Sequence, residues 1–140
     1  MKYNQISWLG KPESRILSIR AFRRYIETLP FQKAVSETEY NWKASPKLNK
    51  TSFDVSSIET WPTPWELFSE NAYCENLQTL GAFYTLILSK HSENHNISLA
   101  IVHHDLFGEY AMLTVDGNVS NEYDLVRVIS PTDIKYKLGA

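Results

Sequence analysis

The chain has a single cysteine, Cys74, among 140 residues. One thiol excludes an intrachain disulfide and any cysteine-based metal cluster, and it fits a reducing compartment. No apolar run of the signal-peptide kind occupies Met1 to Gly10. The longest apolar stretch, around Ala82 to Leu88, is far too short to cross a bilayer. A cytoplasmic location with no membrane partner is therefore expected. Repeats and low-complexity tracts are missing, as are a glycine-rich phosphate loop and a Gly-x-Ser-x-Gly elbow. Asn49, Asn96 and Asn118 head glycosylation triplets, which without a secretory leader are chance matches.

What is present is a globular composition. Hydrophobic residues at 43% and charged residues at 21% supply a core rather than a disordered tract. The length suits one domain over residues 1–140. Charge is divided unevenly along it. Residues 1–50 hold ten Lys and Arg against four Asp and Glu, a balance of +6. Residues 51–140 hold four against twelve, a balance of −8. Such halves either attract each other within one fold or present a bipolar surface suited to protein partners or self-assembly.

Periodicity divides the chain further. Residues 1–17 read as an irregular lead-in. Ser18 is placed to cap a helix reaching about Leu29, with Ala21, Phe22, Tyr25, Ile26 and Leu29 at helical spacing and Pro30 as its stop. Arg20, Arg23 and Arg24 fall on or near its other face, with Glu27 nearby. In a chain of net negative charge, that pattern suits a solvated or protein-docking face better than a nucleic-acid one. Residues 31–60 are ambiguous, and Glu37 to Lys43 fits strand or helix equally. Thr63 can cap a short helix opened by Pro64, with Glu66 in its first turn.

The clearest helix runs from about Cys74 to Lys90, with Leu77, Leu80, Gly81, Tyr84, Ile87 and Leu88 as its apolar stripe. Gly81 costs that helix about 1 kcal/mol relative to alanine, which suggests close packing against a neighbour. Ile97 to Val102 reads as a buried strand and Tyr110 to Val115 as the next. Asp116-Gly117 reads as a hairpin turn, with return strands in Val119 to Asn121 and Leu125 to Ile129. Alternating βαβ units are absent, so the expected class is α+β: a helical N-terminal region, then a Cys-bearing long helix packed on an antiparallel sheet.

Three stretches carry a resemblance: Trp61-Pro-Thr-Pro-Trp-Glu-Leu, Tyr73-Cys74-Glu75-Asn76-Leu77 and Leu80-Gly81-Ala82-Phe83-Tyr84. Together they resemble the transglutaminase-like superfamily over about residues 60–130, with 1–59 as lead-in. The hairpin opening at Tyr110 is similar to the strand bearing that family's His-Ala-Trp-Val motif. The resemblance implies a nucleophilic cysteine at the start of the core helix, where helix dipole and free N–H groups favour thiolate. It also implies departures. Ala72-Tyr73 stands where the family has Gly-Asp, Tyr110 stands where it has its catalytic His, and Asp124 is the nearest, offset, match to its Asp. A phenol with an ordinary pKa near 10 is a poor base for a thiol at neutral pH. Small degenerate proteins of this type are similar to those of tailed bacteriophages.

Two functions follow. The leading one is a non-catalytic transglutaminase-like fold serving as a structural or protein-interaction module, a phage virion or assembly component in its most concrete form. Its location would be host cytoplasm or virion, and its partner-binding residues Arg20, Arg23, Arg24, Trp61 and Trp65. The alternative is a cysteine-dependent acyltransferase or peptidase, with Cys74 as nucleophile, His103 or His104 as base and Asp124 as orienter. Adjacent residues of a strand point opposite ways, so at most one of the two histidines can face Cys74. His91 and His95, four apart, read as loop histidines rather than a metal pair. Neither function implies a cofactor or a metal.

Overall fold

A computed structural model describes residues 5–48, 53–106, 108–117 and 124–138. Its elements form an α+β fold in which helices surround and cover one face of a three-stranded antiparallel sheet.

Helix α1, Pro12–Ile26, begins well before Ser18, a correction to the expected start. Pro12 sits at the first helical position, where its fixed φ suits the helix and its missing N–H costs nothing. Glu13 in the first turn and Arg23 and Arg24 in the last complement the helix dipole. Ser18 is thus inside the helix, and its hydroxyl accepts the Ser7 N–H at 2.6 Å, pinning the lead-in. Helix α2, Phe31–Lys43, follows directly after Pro30 and settles Glu37 to Lys43 as helix. Its buried positions, Ala34, Thr38, Asn41 and Trp42, keep helical spacing although two are polar. Those two are satisfied: Thr38 donates to Ala34 O at 2.7 Å, and Asn41 Oδ1 accepts the Ile6 N–H at 2.9 Å.

Helix α3, Pro64–Phe68, has the capping box expected from Thr63 and Glu66. Helix α4, Glu75–Ile87, is the core element. Every residue from Leu80 to Ile87 is buried, so it is covered all round instead of presenting one stripe. It packs on α2 and α3 and on strands β1, Ile97–His104, and β2, Gly108–Val115. A final short helix, α5, Lys135–Leu138, follows strand β3, Asp124–Ile129, after a 3-10 turn. One hydrophobic cluster draws in Ile6, Ile19, Phe22, Trp42, Phe83, Leu99, Ile129 and Ile134.

The sheet order β2-β1-β3 corrects the expected hairpin. Among the described residues, β2 pairs with β1, from Ile97↔Val115 to His104↔Gly108, and not with the strand after Gly117. β3 joins the other edge of β1. Val119 to Asn121, read as a return strand, lies outside the described residues. The turn chemistry of Asp116-Gly117 is real, since both take positive φ, 53° and 78°. Asp116 is nevertheless committed to β1: its N–H reaches Asn96 O at 2.6 Å and its carboxylate accepts the Asn96 N–H at 3.1 Å. The hairpin instead joins β1 to β2, with a turn at Asp105 and Leu106 and Gly108 at φ 74°. The central place of β1 follows from its sequence: Leu99 and Ile101 join the core on one face, and Ala100 and Val102 are buried on the other.

Candidate functional site

Cys74 is the N-cap residue of α4, with extended backbone (φ −76°, ψ 169°) and a carbonyl that accepts the Gln78 N–H at 2.9 Å. Its position at the opening of the core helix is as expected. Its side chain caps nothing and is only 5% exposed. The surrounding chain is fixed from several sides. Tyr73, fully buried, donates its hydroxyl to the carbonyls of Leu67 and Glu70 at 3.0 and 2.8 Å. Burial pushes that phenol up to about 12, against the opposing effect of nearby Arg15. Asn76 Oδ1 accepts the Ala111 N–H at 3.0 Å, tying the helix start to the outer edge of β2.

The candidate bases make other contacts. Ala111 turns into the core, so its neighbour Tyr110 points to the opposite face of the sheet. His103 and His104 are exposed near the hairpin turn. His103 Nε2 lies 3.6 Å from Asp105 Oδ1, and His104 Nδ1 accepts the Leu106 N–H at 3.1 Å. Asp124 is the cross-strand neighbour of His103, as is Glu109 on the other side. The sheet thus gathers His103, Glu109 and Asp124 at one end of its strands. Among the described residues no hydrogen bond joins Cys74 to an imidazole, and no group of three His, Cys, Asp or Glu is arranged to hold a metal. A cleft of about 390 Å³ next to the start of α4 is lined by Lys43, Lys47, Glu75, Gln78 and Thr79, with Lys47 paired to Glu75 at 2.7 Å. Cys74 does not line it.

His91 and His95 are structural struts, not solvated loop residues. His91 Nε2 donates to Ile26 O at 2.8 Å, at the C-terminus of α1. His95 stacks on Phe31 with ring centres 3.6 Å apart and lies 3.6 Å from the Asp116 carboxylate.

The arginines of α1 are differently placed. Arg20 and Arg24 are exposed and Arg23 is half-buried. Among the described residues no salt bridge engages any of the three. Partial burial lowers the pKa of Arg23; Glu27 opposes that shift, while Arg20 and Arg24 add to it. The two tryptophans divide. Trp61 is buried, donates its indole N–H to Val55 O at 3.1 Å and offers its carbonyl to Lys137 at 3.0 Å. That leaves it no face for a partner. Trp65 is partly exposed, edge-on to Phe68.

Sequence reasoning missed Arg15. Arg15 is 1% exposed, and its guanidinium donates to four carbonyls: Ser69 at 2.7 Å, Trp8 at 3.2 Å, and Gly10 and Phe68 at 3.3 Å. It staples the lead-in and the end of α3 to α1. The available signal was its spacing with Ile19, Phe22 and Ile26, which puts it on the buried stripe.

No protein-family model matches the chain, no curated protein matches it, and no solved structure matches it. No helix among the described residues is long and apolar enough to cross a membrane.

Proposed function

We propose that this protein is a non-catalytic transglutaminase-like fold that works as a protein-interaction module, as a component of a tailed-phage virion or of its assembly. The observation that carries the reading is the arginine face of α1. Arg20, Arg23 and Arg24 stand on one helix without a salt-bridge partner among the described residues. Three guanidiniums clustered this closely repel one another, and an acidic protein surface relieves that repulsion while forming bidentate hydrogen bonds. Arg23 has already lost part of its hydration, so less desolvation remains to oppose docking.

The surroundings of Cys74 support the non-catalytic half. General-base activation needs an imidazole within about 3 Å of the thiol, somewhat looser in a resting enzyme. His103 and His104 hydrogen-bond or pair within their own hairpin turn instead. A thiol buried at a helix N-cap behaves as a small apolar group.

The test is complementation in the native genetic background, beside alkylation kinetics of the purified protein. Cys74→Ala is expected to retain function, and the thiol of the folded wild type to alkylate far more slowly than after denaturation. Combined Arg20→Glu, Arg23→Glu and Arg24→Glu is expected to abolish function with the fold intact by circular dichroism. Loss of function in Cys74→Ala with unchanged folding and assembly sinks the proposal and installs the acyl-transfer reading.

A further inference from the structure

Strand β3 is an edge strand whose exposed positions are mostly apolar. Leu125, Val126 and Val128 are 46%, 52% and 44% exposed, and only Ile129 is buried. Among the described residues nothing pairs with its outer edge. An unpaired edge of this composition presents its main-chain groups to another strand, and the charges and bends along it narrow which strand can pair there.

The register gives β3 a further property. Val102 pairs with Leu125 and Ile101 with Arg127, so Val126 is the extra residue of a bulge. In a regular strand Asp124 and Arg127, three apart, would point to opposite faces. The bulge restores them to one face, opposite His103 and Ile101. Leu125 and Val128 share the other, opposite Val102 and Ala100.

The main-chain groups at the free edge follow from the same ladder. The Ala111 N–H points away from β1, to Asn76, so Ala111↔Ile101 is a non-hydrogen-bonded pair of β1 and β2. Ile101 therefore directs its main chain towards β3, and Val102 towards β2. Leu125, opposite Val102, presents its own N–H and C=O to the free edge.

We infer that β3 is a self-complementary docking strand whose occupant is β3 of a second copy of this chain, paired antiparallel about a two-fold axis at Leu125. A two-fold axis perpendicular to the sheet pairs only residues of the same face. Three such registers place charge differently. Centring on Asp124 opposes two carboxylates, and centring on Arg127 opposes two guanidiniums. Centring on Leu125, with Val126 left as the extra residue on each strand as it is against β1, sets Asp124 against the partner's Arg127 twice, and Leu125 against its own symmetry mate. It also uses the outward main-chain groups of Leu125. The product is a continuous six-stranded sheet, β2-β1-β3 joined to its copy, with Leu125 packed on its symmetry mate. This surface is separate from the arginine face of α1, so either interaction can fail without the other.

Sedimentation equilibrium over a hundredfold range of concentration tests it. The wild type is expected to dimerise reversibly. Asp124→Arg and Arg127→Asp are each expected to weaken the dimer by about tenfold or more, because each sets like charges opposite one another. Mixing the two variants in equal amounts is expected to restore association, since one then carries two arginines and the other two aspartates. The double variant D124R/R127D is expected to dimerise like the wild type. Unchanged melting temperatures separate these effects from misfolding. A wild type monomeric throughout, a dimer indifferent to both swaps, or a mixture that stays monomeric each overturns the inference.

Discussion

Replacing Gly81 with alanine should destabilise the protein although the change improves the helix. In an exposed helix the substitution gains about 1 kcal/mol. Here a Cβ at position 81 would fall 2.6 Å from Trp42 Cη2, with Cε3 and Cζ3 closer still. Carbon atoms in ordinary contact stand about 3.5–4.0 Å apart, so the indole would have to retreat by roughly 1 Å. It has little room to do so. Trp42 is fully buried, its ring lies 4.8–5.8 Å from those of Trp8, Tyr73 and Phe68, and its N–H is held by Thr85 Oγ1 at 3.0 Å. Overpacking costs about 1–3 kcal/mol, and an indole N–H stripped of its acceptor about 1–3 more. Set against the helix gain, the net loss should be about 1–5 kcal/mol, or roughly 3–20 °C in Tm for a chain of this size. Urea denaturation followed at 222 nm measures it. The decisive control is the same substitution beside Trp42→Ala. That variant is itself destabilised by about 3–5 kcal/mol, but in its emptied site Gly81→Ala should stabilise by about 1 kcal/mol. If Gly81→Ala stabilises the wild type, or if its sign is the same in both backgrounds, the steric argument is wrong.

Arg15→Met keeps the length of the side chain but leaves the carbonyls of Trp8, Gly10, Phe68 and Ser69 without their shared donor. It should cost about 3 kcal/mol or more by chemical denaturation, and Arg15→Lys should recover only part of that, because an ammonium cannot span four acceptors in a plane. Alkaline titration should show two silent phenols. Tyr73 is pushed up to about 12 by burial, and burial raises Tyr84 further while its hydroxyl donates to Pro62 O at 2.7 Å. Because the folded pKa lies above the unfolded value near 10, these groups contribute stability that is complete below pH 10 and fades as pH rises through the folded pKa. Tyrosinate absorbance should therefore appear in two steps, the exposed phenols first and these two only with loss of the helical signal. Their titration alongside the exposed ones in a still-folded protein would contradict the packing described.

The parts of the fold that were legible in the sequence are those where apolar pattern and terminus chemistry agree. Thr63, Pro64 and Glu66 lie next to each other in the chain and specify α3 by local hydrogen bonds alone. Cys74 precedes an apolar run with no competing start signal, so its place at the head of α4 could be read directly. Gly81 announced a close neighbour without naming it; Trp42, 39 positions away, comes from a segment whose helical pattern is interrupted by buried Thr38 and Asn41. Polar residues that satisfy themselves against backbone look solvent-facing in a sequence, and α2 was ambiguous for that reason. Arg15 was hidden in the same way on α1.

The sheet failed differently, and the failure bears on the site. Asp116-Gly117 is strong turn chemistry, but a turn states only that the chain bends, not which strand the next segment meets. That choice fell to β1, which is apolar on both faces, the pattern of a buried central strand, and takes a neighbour on each edge. Once β1 is central, the hairpin must lie between β1 and β2, and the parity of that ladder fixes every side chain on it. Ala111 then faces the core and Tyr110 cannot. His103 comes to lie between Glu109 and Asp124, and its ring pairs with Asp105 at the turn. The same pairing makes β3 an edge, where the bulge at Val126 aligns Asp124 with Arg127. A single topological fact, β1 in the middle, thus turns Tyr110 away from the core and creates the edge proposed to receive a second copy.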